Sequence, residues 1–244
     1  MKILVCISKV PDTTAKISFS EDGSSFNTDG VQFIMNPYDE WYALVRAIEL
    51  KEAHGGSVTV VNVGDNTNDT IIRKALAIGA DDAIRVNAEA SSSMFVAKQI
   101  AQVAADYDIV FTGKETINYN SSEIGAMIAA FLDVPFVSYA SHMEVEGSTA
   151  TITREIEGGN ETVEVTTPFV LSAAKGLAEQ RIPNMRGIMM AKRKPLKVVE
   201  AVDFQDAAKP VAYRLPEDKG GVQYIEADEM DKLVRLLHEE AKVI

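Results

Sequence analysis

The chain has 244 residues, 46% hydrophobic and 25% charged, with a formal net charge of -12. That length fits one large α/β domain or one domain with extensions, and the composition is that of a globular chain able to bury a core. The acidic balance argues against a nucleic-acid partner, because phosphate binding needs clustered Lys and Arg, and the lone Cys6 excludes an internal disulfide or a cysteine metal cluster. The apolar start is too short for a signal peptide, and no stretch approaches the roughly 20 apolar residues of a membrane span. A cytoplasmic protein without membrane insertion is expected.

In chain order, Ile3 to Ile7 is a short run rich in branched residues and reads as a buried parallel strand. Residues 16–34 alternate loosely around Glu-Asp-Gly and Asp-Gly turns, which predicts a hairpin or irregular excursion. Asn36-Pro37 is a turn, and Asp39 is placed to cap the helix that follows, whose stripe is Ala43, Leu44, Ala47, Ile48 and Leu50. Strands are expected at Ser57 to Val63, Asp82 to Val86 and Asp108 to Thr112, and helices at Asp69 to Ile78 and Ser91 to Ala105. Gly113 to Asn120 is a loop, and Ser121 or Ser122 opens a helix running to Leu132.

Strand alternating with helix predicts a doubly wound, mostly parallel α/β sheet with helices on both faces. After Pro135 the texture changes to polar/apolar alternation over Met143 to Glu146, Ala150 to Ile156 and Thr162 to Thr166, an antiparallel hairpin extension. Phe169 to Ser172 is suited to return to the main sheet. Gly176 to Lys194 has no clear period and is rich in Arg, Lys and Met. Residues 195–225 carry Pro195, Pro210, Pro216 and Gly220-Gly221 and read as an extended C-terminal arm, closed by an amphipathic helix over Ala227 to Ala241. The expected division is an α/β domain over 1–194 and an arm over 195–244.

Ligands on such sheets bind beyond the carboxyl ends of the strands, where strand order reverses. That selects Cys6 to Val10, Met35 to Asp39, Val63 to Asp65 and Gly113 to Ala126. The last is the strongest, since it joins a strand to a helix start whose first amides suit a phosphate, with Ser121 and Ser122 able to cap or donate and Gly125 and Ala126 allowing close approach. A capped helix without ligand explains the same residues. It is neither a P-loop nor a Gly-x-Gly-x-x-Gly turn. His54, His142 and His238 are dispersed, and Cys6 inside a strand is by default an inert thiol. Neither a catalytic triad nor metal-ligand spacing stands out, so a carrier or binding protein is favoured over an enzyme. Arg181 to Lys194 combines apolar and cationic residues and suits a surface that meets partners.

Six segments in order resemble the electron-transfer flavoprotein beta-subunit family: Val5-Cys-Ile-Ser-Lys-Val-Pro-Asp12, Met35-Asn-Pro-Tyr-Asp39, Arg73-Lys-Ala-Leu-Ala-Ile-Gly-Ala-Asp81, Gly113-Lys-Glu-Thr-Ile117, Arg154-Glu-Ile-Glu-Gly-Gly-Asn-Glu-Thr162, and the run from Leu177 to Lys194. The resemblance implies a heterodimer with an alpha subunit that carries redox-active FAD and is embraced by the beta subunit's C-terminal arm. Such a dimer accepts electrons from acyl-CoA or related dehydrogenases and passes them to a quinone reductase or other acceptor. It further implies a buried AMP in this subunit, or a second FAD in electron-bifurcating members, touching Cys6, Asn36, Asp39, Val63, Ser121, Ser122, Ile124, Gly125, Ala126 and Met127. Tyr38 matches an aromatic position near the alpha-subunit flavin, Met185 the anchor that docks dehydrogenases, and Glu161 a glutamate that helps switch the flavin domain.

The phosphate loop departs from the family. AMP-holding members read Asp-Asp-Asp-x-Asn-Gln-Thr-Gly, whereas this chain reads Asn118-Tyr-Asn-Ser-Ser-Glu-Ile-Gly125. Glu123 would repel phosphate by like charge. Ile124 resembles FAD-holding members, while the Met-Ala-Lys-Arg-Lys-Pro run resembles the AMP type, which is the preferred reading. The competing readings are a stand-alone adenine-nucleotide-binding module and a small-molecule hydrolase or ligase acting near Ser121 or Lys114.

Overall fold

The computed structural model describes residues 1–206, 208, 210–218 and 220–244. The strands are β1 (Lys2–Cys6), β2 (Lys9–Pro11), β3 (Phe33–Met35), β4 (Ser57–Val63), β5 (Asp82–Asn87), β6 (Ile109–Gly113), β7 (Phe136–Glu146), β8 (Thr149–Ile156), β9 (Gly159–Thr166), β10 (Phe169–Ala173) and β11 (Leu196–Glu200). The helices are α1 (Asp39–His54), α2 (Asp69–Ile78), α3 (Ser93–Ala104), α4 (Ile124–Leu132), α5 (Met185–Ala191) and α6 (Met230–Arg235).

Nine strands form one sheet in the order β11-β5-β4-β1-β6-β10-β7-β8-β9, parallel from β11 through β7 and antiparallel from β7 to β9. A separate antiparallel pair joins β2 to β3. β1 is apolar along its length because both its faces are covered. Ile3 and Val5 enter the cluster packed by α1 and α2, and Leu4 and Cys6 enter the cluster packed by α3 and α4. Strand order reverses at β1, since the chain runs outward through β4 and β5 and then crosses to β6 on the other flank. The crevice at the carboxyl ends of β1 and β6 is therefore the expected ligand edge. In β7 and β8 the buried residues alternate, Met143 and Val145 against Ala150 and Ile152, as an antiparallel sheet with one dry face requires.

The structure departs from the sequence expectation at two helix starts. Asp39 is the first helical residue of α1 rather than its cap; Tyr38 occupies the cap position, and no side chain closes it. Helix α4 starts at Ile124, not at Ser121 or Ser122, with Glu123 at the cap position and no side-chain cap. Asn120 and Ser122 adopt left-handed backbone, each with φ 54, so the loop turns twice before the helix can begin. By contrast Ser92 does cap α3, its Oγ accepting from Phe95 N at 3.1 Å.

Contacts divide the chain into two compact units. The first comprises Met1–Ile17 and Asn27–Val211, and so extends past residue 194, where sequence placed the end of the α/β domain. Strand β11 is the reason, as it pairs in parallel with β5. The segment after it is fixed by Gln99, whose amide donates to Val202 O at 2.9 Å and accepts from Val202 N at 2.8 Å. Asp206 adds contacts from Ser91 and Ser92 at 3.0 and 2.6 Å. The second unit comprises Ser18–Phe26 and Ala212–Ile244. Within it Phe19 stacks on Tyr213 at 5.3 Å, and Tyr213 N donates to Gly23 O at 2.7 Å. Its terminal helix is shorter than expected: α6 ends at Arg235, and a π-helical turn follows over Leu236–Glu240. Among the described residues no helix is long and apolar enough to cross a membrane.

Candidate functional site

The carboxyl edge of the sheet is built by two buried polar residues that flank a short turn. Asn36 is fully buried. Its backbone N donates to Ser8 O at 3.0 Å, its amide donates to Glu115 O at 3.1 Å, and its Oδ1 accepts from Ile117 N at 3.0 Å. It thus joins the loop after β1 to the loop after β6. Glu40, on the first turn of α1, accepts from Ser8 N and Ser8 Oγ, each at 2.6 Å.

Between those anchors stand Pro37, Tyr38 and Asp39. Tyr38 has φ 64 and ψ -102, a conformation rare for a side chain of its size, and its ring is 55% exposed. It lines a crevice of about 240 Å³ with Pro37, Asp39, Tyr42, Lys114, Glu115, Ile117, Asn120 and Lys175. Lys114 and Glu115 form an ion pair of 3.3 Å on its wall.

The electrostatics of this edge are set by burial. Desolvation pushes the Glu40 carboxyl up from 4.5 to about 8, against the opposing hydrogen bonds from Ser8. Burial also raises Asp39, with Lys114 opposing. The Cys6 thiol is driven far up, first by burial and then by the neighbouring Glu40 charge, which leaves it a non-nucleophilic packing group.

The candidate nucleotide residues fall into two groups. Asp39 lines the crevice just described, with Tyr38, while Asn36 is fully buried behind it and acts by holding the loop of Glu115 and Ile117 that forms its wall. Cys6 and Val63 lie on the other face, in the apolar cluster beneath α3 and α4, and Ile124 and Met127 pack against that cluster. Gly125 is buried and packs closely on the sheet: a Cβ there would stand 2.8 Å from both Phe136 Cε2 and Thr112 Oγ1. Ala126 and Ser121 are exposed. Ser122 turns its Oγ toward Glu115 Oε2 at 3.4 Å.

The remaining candidates lie elsewhere. Met185 is 74% exposed on α5, beside exposed Ile182 and Met189. Glu161 on β9 pairs with Arg154 on β8, Nε to Oε2 at 2.7 Å, and Arg154 also donates to Ser138 Oγ at 3.2 Å. Sequence reasoning passed over Glu40, although it ends the Met-Asn-Pro-Tyr-Asp-Glu run. A glutamate in a first helical turn normally faces water, and only the partner Ser8, 32 residues away, marks it as buried. Trp41 was also passed over; its indole donates to Arg181 O at 3.2 Å and ties the Arg181 segment to α1.

Comparison with known proteins addresses the whole chain. The family model described as an electron transfer flavoprotein domain matches residues 24–204. A Bacillus subtilis protein named electron transfer flavoprotein subunit beta is 35% identical over the full length of both chains.

The chain belongs to the electron transfer flavoprotein beta-subunit family.

The mouse protein of that name is 36% identical, covering 84% of this chain and 83% of its own. The Arabidopsis mitochondrial one is 33% identical over 98% and 99%. The stretch matched by the family model takes in the crevice, the hairpin extension, α5 and β11, and ends before Ala212–Ile244. The similarity to whole beta subunits extends over those last residues as well.

Proposed function

We propose that this chain is the beta subunit of a cytoplasmic electron-transfer flavoprotein heterodimer, an electron carrier and not an enzyme in its own right. Its alpha subunit carries the redox-active FAD, accepts electrons from acyl-CoA or related dehydrogenases and delivers them to a quinone reductase or other acceptor. The observation that carries this reading is the full-length similarity to proteins named electron transfer flavoprotein subunit beta. Support comes from the second unit, where Leu215, Val222, Tyr224, Met230, Val234, Val243 and Ile244 are exposed along a segment with no buried helix face. An extended segment with that much apolar surface is suited to lie on a partner, here the alpha chain.

In this reading the adenine nucleotide of the beta subunit is AMP, held at the carboxyl edge of the sheet. The donor set fits an adenylate. Helix α4 begins without a side-chain cap, so its first amides are oriented for an anion. Ile124 and Met127 continue into the apolar cluster of Cys6 and Val63, a surface for a planar base. Glu123, at the cap position, weakens phosphate binding by like charge. The aliphatic Ile124 favours a second reading, FAD in that place within a bifurcating complex. The flavin of the alpha subunit supplies reversible electron transfer when bound. In this reading the aromatic Tyr38 at the crevice lies near that flavin, while Met185 and Glu161 serve partner docking and flavin-domain switching.

Acid release of nucleotides from the purified two-subunit complex, followed by chromatography, tests the assignment. One FAD with one AMP is expected. Two FAD would select the bifurcating reading, and one FAD alone would remove the nucleotide site.

A further inference from the structure

Helices α2 and α5 hold each other by their carboxyl ends. Arg73 on α2 donates through Nη1 to Ala191 O at 2.8 Å and to Lys194 O at 2.6 Å, at and just after the last turn of α5. Lys194 donates back through Nζ to Leu76 O at 2.9 Å and to Ala80 O, at and just beyond the last turn of α2. Carbonyls at helix ends lack intrahelical donors, and a cation there also meets the negative end of the helix dipole. The two cations therefore cap the two helices reciprocally.

The rest of the contact brings the backbones together. A Cβ on Gly187 would stand 2.4 Å from Ala77 O, so α5 lies directly on α2 only because that position has no side chain. Asn184 closes the front of α5, its Oδ1 accepting from Gly187 N at 2.8 Å. The chain entering α5 is pinned by the fork of Arg181 on Glu52, at 2.8 and 3.0 Å.

Helix α5 has seven residues, of which Ala191 alone is buried. So short a helix is not stable by its own hydrogen bonds. Its orientation comes from the close approach of Gly187 to α2 and from the ties at its ends. What those ties present outward is Ile182, Met185 and Met189, which are 88%, 74% and 62% exposed.

We propose that Arg73 and Lys194 are positioning residues for electron transfer: by capping each other's helix they hold Met185 and its apolar neighbours in the orientation that a donor dehydrogenase engages. This inference rests on the docking reading of Met185. Neither cation touches the partner; both act through α5.

The test uses the heterodimer with a purified acyl-CoA dehydrogenase that reduces the wild-type complex. Arg73→Lys, Lys194→Gln and Met185→Ala are compared for KM and kcat toward the dehydrogenase, for flavin reduction by dithionite, and for amide exchange over residues 185–191. Both clamp variants are expected to speed exchange in 185–191 and raise KM roughly tenfold, as loss of one charged hydrogen bond implies, with kcat and dithionite reduction unchanged. Met185→Ala should raise KM without changing exchange. Faster exchange with unchanged KM in the clamp variants, while Met185→Ala raises KM, overturns the positioning role and leaves docking intact. An unchanged KM in Met185→Ala removes the docking reading and this inference with it. Failure of both clamp variants to assemble would make the pair part of the core and would equally overturn a role confined to docking.

Discussion

Glu40 and Ser8 are joined twice: the two carboxyl oxygens of one accept the backbone N–H and the hydroxyl of the other, each at 2.6 Å. The pair closes the carboxyl edge of the sheet beneath Tyr38. It also places an ionisable group where water does not reach, with its carboxyl raised to about 8 chiefly by burial.

That shift has a direction in stability. Between about 4.5 and 8 the folded chain holds a proton on Glu40 that the unfolded chain has released, so stability falls as pH rises through that window and levels off above it. Glu40→Gln can keep both contacts without an ionisable group: its carbonyl oxygen accepts from Ser8 N, and its NH2 donates to Ser8 Oγ once that hydroxyl turns from donor to acceptor. Urea melts at pH 5 and pH 8.5 should show the wild type losing a few kcal/mol that the variant retains. Equal pH dependence in the two proteins would mean that Glu40 is not the titrating group.

The Asn36 side chain bonds the loop after β6 at two backbone positions, Glu115 O and Ile117 N. Asn36→Ala strands both groups in a partly buried setting, at a cost of about 2 kcal/mol. The expected readout is a lowered urea midpoint with faster exchange of the Ile117 amide. Wild-type protection at Ile117 would show that the loop is held by something else.

Gly125→Ala sets two effects against each other. Alanine favours the helix by up to about 1 kcal/mol, while a methyl 2.8 Å from Phe136 and Thr112 costs about 1–3 kcal/mol in overpacking. Overpacking should prevail, because Thr112 is buried in the sheet and cannot move far. A thermal midpoint above wild type would contradict that packing.

Much of this architecture is legible in the amino-acid sequence. The strand Ser57–Val63 and the helix Asp69–Ile78 fall at the bounds that their apolar runs and closing glycines indicate. The alternation of strand and helix indicates the parallel core, and the two-residue alternation with the turns at Gly147-Ser148 and Gly158-Gly159-Asn160 indicates the hairpins. The start of α4 was not legible, since Ser121 and Ser122 have the chemistry of caps but a backbone turned left-handed at Asn120 and Ser122. Strand β11 is not legible because Leu196–Glu200 is only five residues long, follows Pro195 and opens a stretch rich in Pro and Gly that reads as an arm; its evidence is tertiary, in β5 and Gln99. The place of Met35 to Asp39 at the sheet's carboxyl edge is legible from the alternation of strand and helix. Glu40 was hidden because nothing local distinguishes a buried glutamate from a solvated one.

The most direct test of the account is co-expression of the full chain, and of a variant ending at Val211, with an alpha chain of the same family, followed by gel filtration monitored at the flavin absorbance. The truncation spares β11 and its anchors and removes the apolar segment from Ala212 onward. The full chain should elute as a yellow heterodimer, and the shortened chain should elute alone and colourless. A full chain that stays separate from the flavin-bearing alpha chain would contradict the proposed role outright.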